Sequence, residues 1–164
     1  IYQNGTIFHF DIFGITERQY LEVIPEDYQL IRKLDQVITF HGFVKASRLR
    51  QEFKEADFSL IIREDNRVNR AGFPTKFVES INFCVPVITT RTSDLESYLI
   101  EGKNGFFIES KLEKNNIKKL NFILNLGREE VFQMKQYCFE SKLFNIENWL
   151  EEAKFILEGK IFAK

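Results

Sequence analysis

Short apolar runs alternate with amphipathic stretches along the whole chain. The first run, Thr6–Phe13, is nearly continuous in apolar residues and stops at Gly14, as expected of a strand buried on both faces. Four further strands are predicted from similar runs, at residues 37–40, 57–62, 85–89 and 105–108.

Stretches with helical spacing occupy most of the remaining sequence. Pro25 and Asn145 stand at two helix starts, and a serine followed three residues later by a glutamate predicts two more, at Ser93–Glu96 and Ser110–Glu113. Gly127 is placed to end the helix before it. The predicted helices cover residues 25–34, 47–56, 73–83, 93–100, 110–126, 129–142 and 146–157.

This order of elements predicts the fold class. No hairpin signal such as Asn-Gly joins two strands, so the alternation indicates an α/β fold with a doubly wound parallel sheet and helices on both faces. No internal repeat or low-complexity linker is apparent, and we predict one domain over residues 1–164 with a helical tail from about residue 110. Since the chain starts without Met and enters a strand-like run almost at once, we expect a domain truncated at its N-terminal edge.

Composition narrows the range of partners. Hydrophobic residues make up 44% and charged residues 29%, as in soluble globular domains, and a net charge of -1 gives no general attraction for nucleic acid. Cys84 and Cys138 have no metal-ligand spacing and are expected to be small buried hydrophobic residues. Neither a signal peptide nor a run of about 18 apolar residues is present. We therefore expect a cytoplasmic protein that needs no metal or other cofactor.

The polar segment Arg63–Gly72 is the first place to look for a binding site. A parallel sheet of this class binds its ligand at the carboxyl ends of its strands. Connections there usually have about 2–6 residues, and this segment is longer. Because long loops at that edge often carry function, we expect the site beside it.

The segment Gly72–Glu79 carries the chemistry that fits a phosphorylated ligand. Gly72 allows a ligand to approach the backbone, and Pro74 suits the first helical position. The amides of Thr75 and Lys76 would then be unpaired donors at the positive end of a helix, where a diphosphate binds well, and Lys76 adds a charge. Glu79, one turn beyond Thr75, could accept hydrogen bonds from a ribose diol. The alternative is a capped helix with Glu79 in solvent; the loop length, the strand-end position and the glutamate spacing together favour the binding site.

The motifs around this segment resemble the carboxy-terminal domain of family-four glycosyltransferases, whose GT-B architecture has two Rossmann-like halves. The resemblance covers about residues 8–108 and extends loosely into the helical tail. The matching positions are Ala56-Asp57 at a strand start, Glu79 as the second glutamate of a pair separated by seven residues, Pro86-Val87-Ile88 in the next strand, and Glu101-Gly102 with Gly105 in a turn.

The resemblance also implies which residues bind the donor. Glu79 would bind the ribose hydroxyls, the backbone from Phe73 to Lys76 would face the diphosphate and the donor sugar, and the segment His41–Val44 would lie near the nucleobase. No catalytic residue and no metal ligand are predicted. The predicted donor-binding residues are Gly42, Phe43, Val44, Arg63, Gly72, Phe73, Pro74, Thr75, Lys76 and Glu79.

The sequence departs from the family pattern at two places. The first glutamate of the pair falls at Ala71, so its contact to the donor sugar is missing or comes from other residues; the candidates are Asn69, Asp65 and Glu64. The arginine and lysine that hold the diphosphate near the start of the family's domain have no counterpart, because the expected first strand and helix are absent. Candidates to replace them, if they are more than solvated loop charges, are Arg63, Arg67 and Arg70.

Three titratable residues invite a catalytic interpretation. His9 and Asp11 share one face of the first strand, and His41 ends the second. A proton relay is one hypothesis for the first two, and a place in the cleft is one for His41. Surface or structural roles are the favoured alternative.

The implied function is that of a glycosyltransferase donor-binding domain. The resemblance implies transfer from a nucleotide-diphosphate sugar, with retention at the anomeric carbon, to an acceptor held by a missing N-terminal domain. Polysaccharide or glycoconjugate biosynthesis is the expected setting, and any peripheral membrane contact would come through the missing half. The isolated chain is expected to bind nucleotide without catalysing transfer. Two alternatives stay open: a non-catalytic Rossmann-like interaction module, and a nucleotide-sugar epimerase of GT-B shape.

Overall fold

The computed structural model describes residues 6–109 and 114–158. These residues divide into two compact units, residues 6–52 with 114–126 and residues 53–109 with 127–158. The prediction of one domain over the whole chain stays a prediction. The regular elements are, in chain order, β1 (Phe10–Phe13), α1 (Glu17–Val23), α2 (Tyr28–Lys33), β2 (Ile38–Gly42), α3 (Ala46–Glu55), β3 (Ser59–Ile61), α4 (Arg67–Arg70), α5 (Thr75–Asn82), β4 (Val87–Thr90), β5 (Gly105–Ile108), α6 (Lys114–Leu124), α7 (Arg128–Ser141) and α8 (Leu150–Leu157), with single 3-10 turns at Pro25–Asp27, Leu95–Ser97 and Ile146–Trp149.

The first unit contains a two-stranded parallel sheet. β1 pairs with β2 from Phe10 opposite Ile38 to Phe13 opposite Gly42. Helix α1 follows β1 and was not predicted, although its start carries a capping box. The amide of Gln19 donates to the Thr16 hydroxyl, and the amide of Thr16 donates to the Gln19 side chain.

The prediction that the first strand is buried on both faces is wrong. β1 covers only the last four residues of the predicted run, and Ile7 in the same run is 96% exposed. His9 and Asp11, at alternate positions, both lie exposed. Because alternate residues of a strand point to the same face, these two polar side chains leave only one apolar face to bury.

The second unit contains a three-stranded sheet in the order β3-β4-β5, with both pairs parallel. Its core is built around Phe77, which is completely buried, together with Ile81, Val87 and Phe107. On α7, the Lys135 ammonium donates to the carbonyl of Ala56 at 2.6 Å. The predicted α/β class with parallel strands is confirmed, although the strands pair in two sheets where one was predicted.

The predicted helix over residues 93–100 is also wrong. A single 3-10 turn, Leu95–Ser97, stands in its place, and its first residue is preceded by Asp94 without a side-chain cap. Ser93 has a φ of 54°, in the left-handed region, whereas a capping serine needs an extended backbone. Its hydroxyl donates to the carboxylate of Asp94. The second predicted capping box, at residues 110 and 113, lies outside the described residues.

The two other predicted cap residues differ in outcome. Gly127 is expected to end a helix, but it is the cap residue before α7, where its amide donates to the Glu130 carboxylate at 2.8 Å. The side chain of Asn145 accepts from the amide of Glu147 at 3.1 Å, which confirms it as the cap of the last helical segment. A glycine between two amphipathic stretches can end the first helix or cap the second. Here the hydrogen bond from its amide to the Glu130 carboxylate assigns Gly127 to the second.

We expect the two cysteines to differ sharply in reactivity. Cys138 is 3% exposed, and its burial raises the pKa of its thiol to about 12, whereas Cys84 is only half-buried. At pH 8 a thiol reagent such as Ellman's reagent should therefore label Cys84 in the folded protein and Cys138 only after unfolding. A Cys84→Ser variant should show no rapid labelling. Rapid labelling of both thiols in the folded wild-type chain would contradict this prediction.

Candidate functional site

The candidate site begins at the N-terminal end of α5. Pro74 precedes the helix with φ -73° and ψ 107°, an extended conformation, and its carbonyl accepts from the amide of Phe77 at 2.9 Å. Pro74 is therefore the cap residue, and the prediction that it occupies the first helical position is wrong by one residue. Its extended ψ is the reason, since a residue inside the helix would have a negative ψ.

The first two amides of α5 are available to a ligand. Within residues 6–109 and 114–158, the amides of Thr75 and Lys76 donate no hydrogen bond. Both residues are exposed, as is Gly72 before them, while Pro74 at the cap is buried. Unpaired amides at the positive end of a helix are the donors that bind phosphate groups in proteins.

Glu79 lies one turn further along α5. The residue is exposed, and its carboxylate has no hydrogen bond or ion pair with any described residue. Positions four apart share a helix face, so Glu79 and Thr75 lie on the same side of α5, while Phe77 and Ser80 are buried. The carboxylate is therefore available as an acceptor next to the helix start.

Phe73 attaches the helix start to the core of the second unit. Its ring packs against Tyr98, Phe77 and Phe144, with ring centroids 5.1, 6.0 and 6.0 Å away. The side chain is thus used for packing, and only the backbone of Phe73 can face a ligand. Such packing fixes the position of the helix start, which a preorganised binding site requires.

Arg63 joins the ends of two strands to the loop before α5. Its amide donates to the Thr90 hydroxyl at 2.9 Å, and that hydroxyl donates to the carbonyl of Arg63 at 2.6 Å. The guanidinium donates to the carbonyl of Gly72 at 3.4 Å. A positive side chain therefore lies beside the segment that leads to the candidate phosphate site.

The polar loop after β3 contains a helical turn of its own. The side chain of Asn66 caps α4 by accepting from the amide of Asn69 at 2.9 Å. Arg70 donates twice to the carboxylate of Asp65, at 2.5 Å each, and this hydrogen bonding lowers the pKa of Asp65 and raises that of Arg70. Ala71 is exposed and offers no carboxylate. Of the three candidate cations in this loop, Arg70 is already paired within it.

The residues predicted to lie near a nucleobase belong to the first unit. Gly42 is buried with a φ of 64°, a conformation that favours glycine, and Phe43 after it is 91% exposed. Val44 is half-buried. The proximity of these three residues to the helix start of the second unit stays a prediction.

The titratable residues of the first unit form a hydrogen-bonded network at the surface. His41 Nε2 and Asp11 Oδ1 are 2.5 Å apart, and His41 Nδ1 lies 3.2 Å from the guanidinium of Arg48. The ring of His41 stacks on that of Phe13, and His9 contacts the Thr39 hydroxyl. These contacts give each of the three residues a partner, and the choice between a relay and a structural role stays a prediction.

A polar cavity at the carboxyl ends of β3 and β4 was missed by the sequence analysis. Its volume is about 620 Å³. The sequence pattern predicts Ser93 in its wall only as a helix cap, although its position three residues after β4 was a signal for the edge of the sheet. The lining residues are Asp65, Arg70, Arg91, Thr92, Ser93, Asp94 and Glu96.

Within residues 6–109 and 114–158, no group of three or more His, Cys, Asp or Glu side chains could hold a metal ion. None of the helices there combines the length and the apolar character that crossing a bilayer requires.

Comparison with known proteins places the chain in a sequence family. Residues 8–140 match the family model described as glycosyl transferases group 1. The crystal structure of Anabaena Alr3699/HepE in complex with UDP is similar, with a TM-score of 0.63 and 16% sequence identity, over 93% of this chain and 41% of that one. A search of curated protein sequences found no match. The resemblance predicted from the motifs is confirmed, and the chain spans less than half of the solved structure it resembles.

Proposed function

The chain belongs to the group 1 glycosyl transferase family, and from this premise we propose that it is the donor-binding part of an enzyme that transfers a sugar from a nucleotide diphosphate to an acceptor. The observation that carries the proposal is the unpaired start of α5. The amides of two exposed residues there have no partner among the described residues, and an unpaired carboxylate follows one turn later. This arrangement fits a diphosphate and the adjoining ribose of one ligand.

In the proposed mechanism, the helix start holds the diphosphate and stabilises it as it leaves the sugar. The amides of Thr75 and Lys76 donate to phosphate oxygens, and the helix dipole places about half a positive charge there. The charge on the diphosphate grows as the glycosidic bond breaks, so these donors stabilise the transition state more than the bound donor. Arg63, which contacts the carbonyl of Gly72, supplies a further positive charge nearby.

The nucleotide, the acceptor site, the pathway and the cellular location belong to the same proposal. UDP in the similar Anabaena structure makes uridine diphosphate the first ligand to test. We place the acceptor site in a second, N-terminal half, transfer with retention, and the pathway in polysaccharide or glycoconjugate biosynthesis. A cytoplasmic location agrees with two cysteines that are both free.

A second candidate function is a non-catalytic interaction module. Ala71 supports it, because the family's first glutamate is replaced there by a residue that cannot contact a donor sugar through a carboxylate. Calorimetric titration with UDP, GDP and ADP separates the two candidates. The proposed function predicts saturable binding of at least one of the three, whereas absence of binding for all three would contradict it and favour the module.

Replacing Thr75 with proline should weaken nucleotide binding and leave the fold intact. Proline fits the first helical position, and Pro74 already has the extended backbone that a residue before proline adopts. The substitution removes an amide hydrogen and a hydroxyl, neither of which has a hydrogen-bond partner among the described residues. Because hydrogen bonds to charged groups contribute about 1.5–3 kcal/mol, the affinity for UDP should fall about tenfold or more in calorimetry.

Thr75→Ala is the matched control for this variant. It keeps the amide and removes the hydroxyl, so its UDP affinity should stay near that of the wild-type chain. Equal affinity in Thr75→Pro and Thr75→Ala would show that the Thr75 amide does not contact the diphosphate.

A further inference from the structure

A cavity in the second unit lies between the end of α5 and the end of α7. Its volume is about 340 Å³, and both cysteines of the chain, Cys84 and Cys138, line it. It shares no lining residue with the polar cavity after β3 and β4. Ile81 and Asn82 in its wall belong to the last turn of α5, so the cavity lies at the end of the helix opposite Thr75.

The backbone holds Cys84 in a fixed position at the end of α5. Its φ is 60°, in the left-handed region that non-glycine residues rarely adopt. The amide of Cys84 donates to the carbonyl of Ile81 at 2.9 Å, and the amide of Val85 donates to the carbonyl of Ser80 at 2.9 Å. Glycine is the usual residue at such a helix end. Here a half-buried thiol takes its place, and small reagents can reach it through the cavity.

Cys138 lines the same cavity from α7 but is protected from solvent. It is 3% exposed and belongs to the core cluster against which Cys84 packs. The pKa of its thiol is raised to about 12, first by burial and then by the charge of the neighbouring Cys84 thiolate. The two thiols therefore interact with each other, while only Cys84 is open to a dissolved reagent.

We propose that Cys84 and Cys138 form a disulfide when the protein meets a small-molecule disulfide oxidant such as oxidised glutathione. The Cys84 thiolate first attacks one sulfur of the oxidant and expels one glutathione thiolate. The Cys138 thiolate then attacks the Cys84 sulfur and expels the second glutathione. The two protein thiols lose two electrons and two protons, and the oxidant gains them as two molecules of glutathione. The order of the steps follows from the exposure of Cys84 and the burial of Cys138.

The bond would join the end of α5 to α7 and close a long loop of the chain. A cross-link of this kind restricts the unfolded chain, so the oxidised protein should unfold at a higher urea concentration than the reduced protein. It would also spare Cys84 from further, irreversible oxidation. The inference does not rest on the proposed function, because no nucleotide takes part in it. Its failure would leave the donor site untouched.

The test compares the wild-type chain with Cys84→Ser and Cys138→Ala. Each protein is incubated with oxidised glutathione at pH 8, the remaining thiols are blocked with N-ethylmaleimide, and the intact mass is measured over several hours. The second step is slow, because pH 8 lies well below the pKa of about 12 and few Cys138 thiols are ionised. It therefore does not disturb the rapid labelling of Cys84.

In the wild-type chain a glutathione adduct should appear first and then decay to a product that carries neither glutathione nor N-ethylmaleimide. A digest without reductant should contain the peptides of Cys84 and Cys138 joined together, and dithiothreitol should reverse both the bond and the gain in stability. Cys138→Ala should stop at the glutathione adduct, and Cys84→Ser should form none. A wild-type adduct that persists, or a product in which two chains are joined, would overturn the inference. The decay of the wild-type adduct decides the question even where Cys138→Ala folds poorly.

Discussion

A Glu79→Gln variant should bind UDP about 10- to 100-fold more weakly than the wild-type chain, without loss of stability. The carboxylate is exposed and unpaired in the free protein, so its removal breaks no contact among the described residues. In the complex it would accept hydrogen bonds from both ribose hydroxyls, and bonds to a charged acceptor contribute about 1.5–3 kcal/mol each. Glutamine keeps the shape but has one carbonyl oxygen and no charge, which weakens both bonds.

A ligand that lacks the ribose diol tests whether Glu79 acts through the ribose hydroxyls. The diphosphate of 2′,3′-dideoxyuridine should bind Glu79→Gln and the wild-type chain equally well, because the hydroxyls that distinguish the two proteins are absent. Glu140→Gln, which changes an exposed glutamate on α7, should leave UDP affinity unchanged. An equal loss for UDP and for the dideoxy ligand would mean that Glu79 acts elsewhere than on the ribose.

Replacing Gly105 with alanine should destabilise the protein by about 3 kcal/mol or more. A Cβ at this position would lie 2.1 Å from the carbonyl oxygen of Val87 in β4. β4 is the central strand of its sheet and pairs with β3 on its other side, so its backbone cannot move away without loss of ladder hydrogen bonds. The free energy of unfolding, measured in urea, should reveal the loss.

Gly72→Ala is the control for the effect of an added methyl group. A Cβ there meets no atom within 4 Å, and Gly72 needs no left-handed backbone, so the free energy of unfolding should change by less than about 0.5 kcal/mol. A loss below about 1 kcal/mol in Gly105→Ala would mean that β4 and β5 separate more easily than their close approach indicates.

Local signals predicted the elements around the site well. The run that became β5 was predicted with its observed bounds, residues 105–108, because a turn precedes it and Gly105 is followed by three large apolar residues. The start of α5 was predicted to within two residues from Gly72 and Pro74. Both depend on contacts within a few residues, which a single sequence carries directly.

The errors arose where distant contacts decide the structure. Ser93 and Glu96 have capping-box spacing, yet Glu96 pairs with Arg91 and Ser93 adopts a left-handed backbone. The polar cavity needs the loops after β3 and β4 side by side, which requires knowledge of strand order. The same holds for Gly105, because the carbonyl of Val87 across the sheet excludes a side chain at this position. The contacts that decide these features are tertiary, and the position of Ser93 shortly after β4 was their main local signal.

The most direct test of the donor site is an NMR titration of the isotope-labelled chain with UDP, GDP and ADP, in which each backbone amide is followed. The unpaired amides of Thr75 and Lys76 should show the largest shifts with the nucleotide that binds, as expected when amide protons form new bonds to phosphate. The shifts should saturate with the same affinity that calorimetry gives. Saturable binding that leaves both amides unshifted, with the largest changes outside the second unit, would contradict the assignment of the diphosphate to the start of α5.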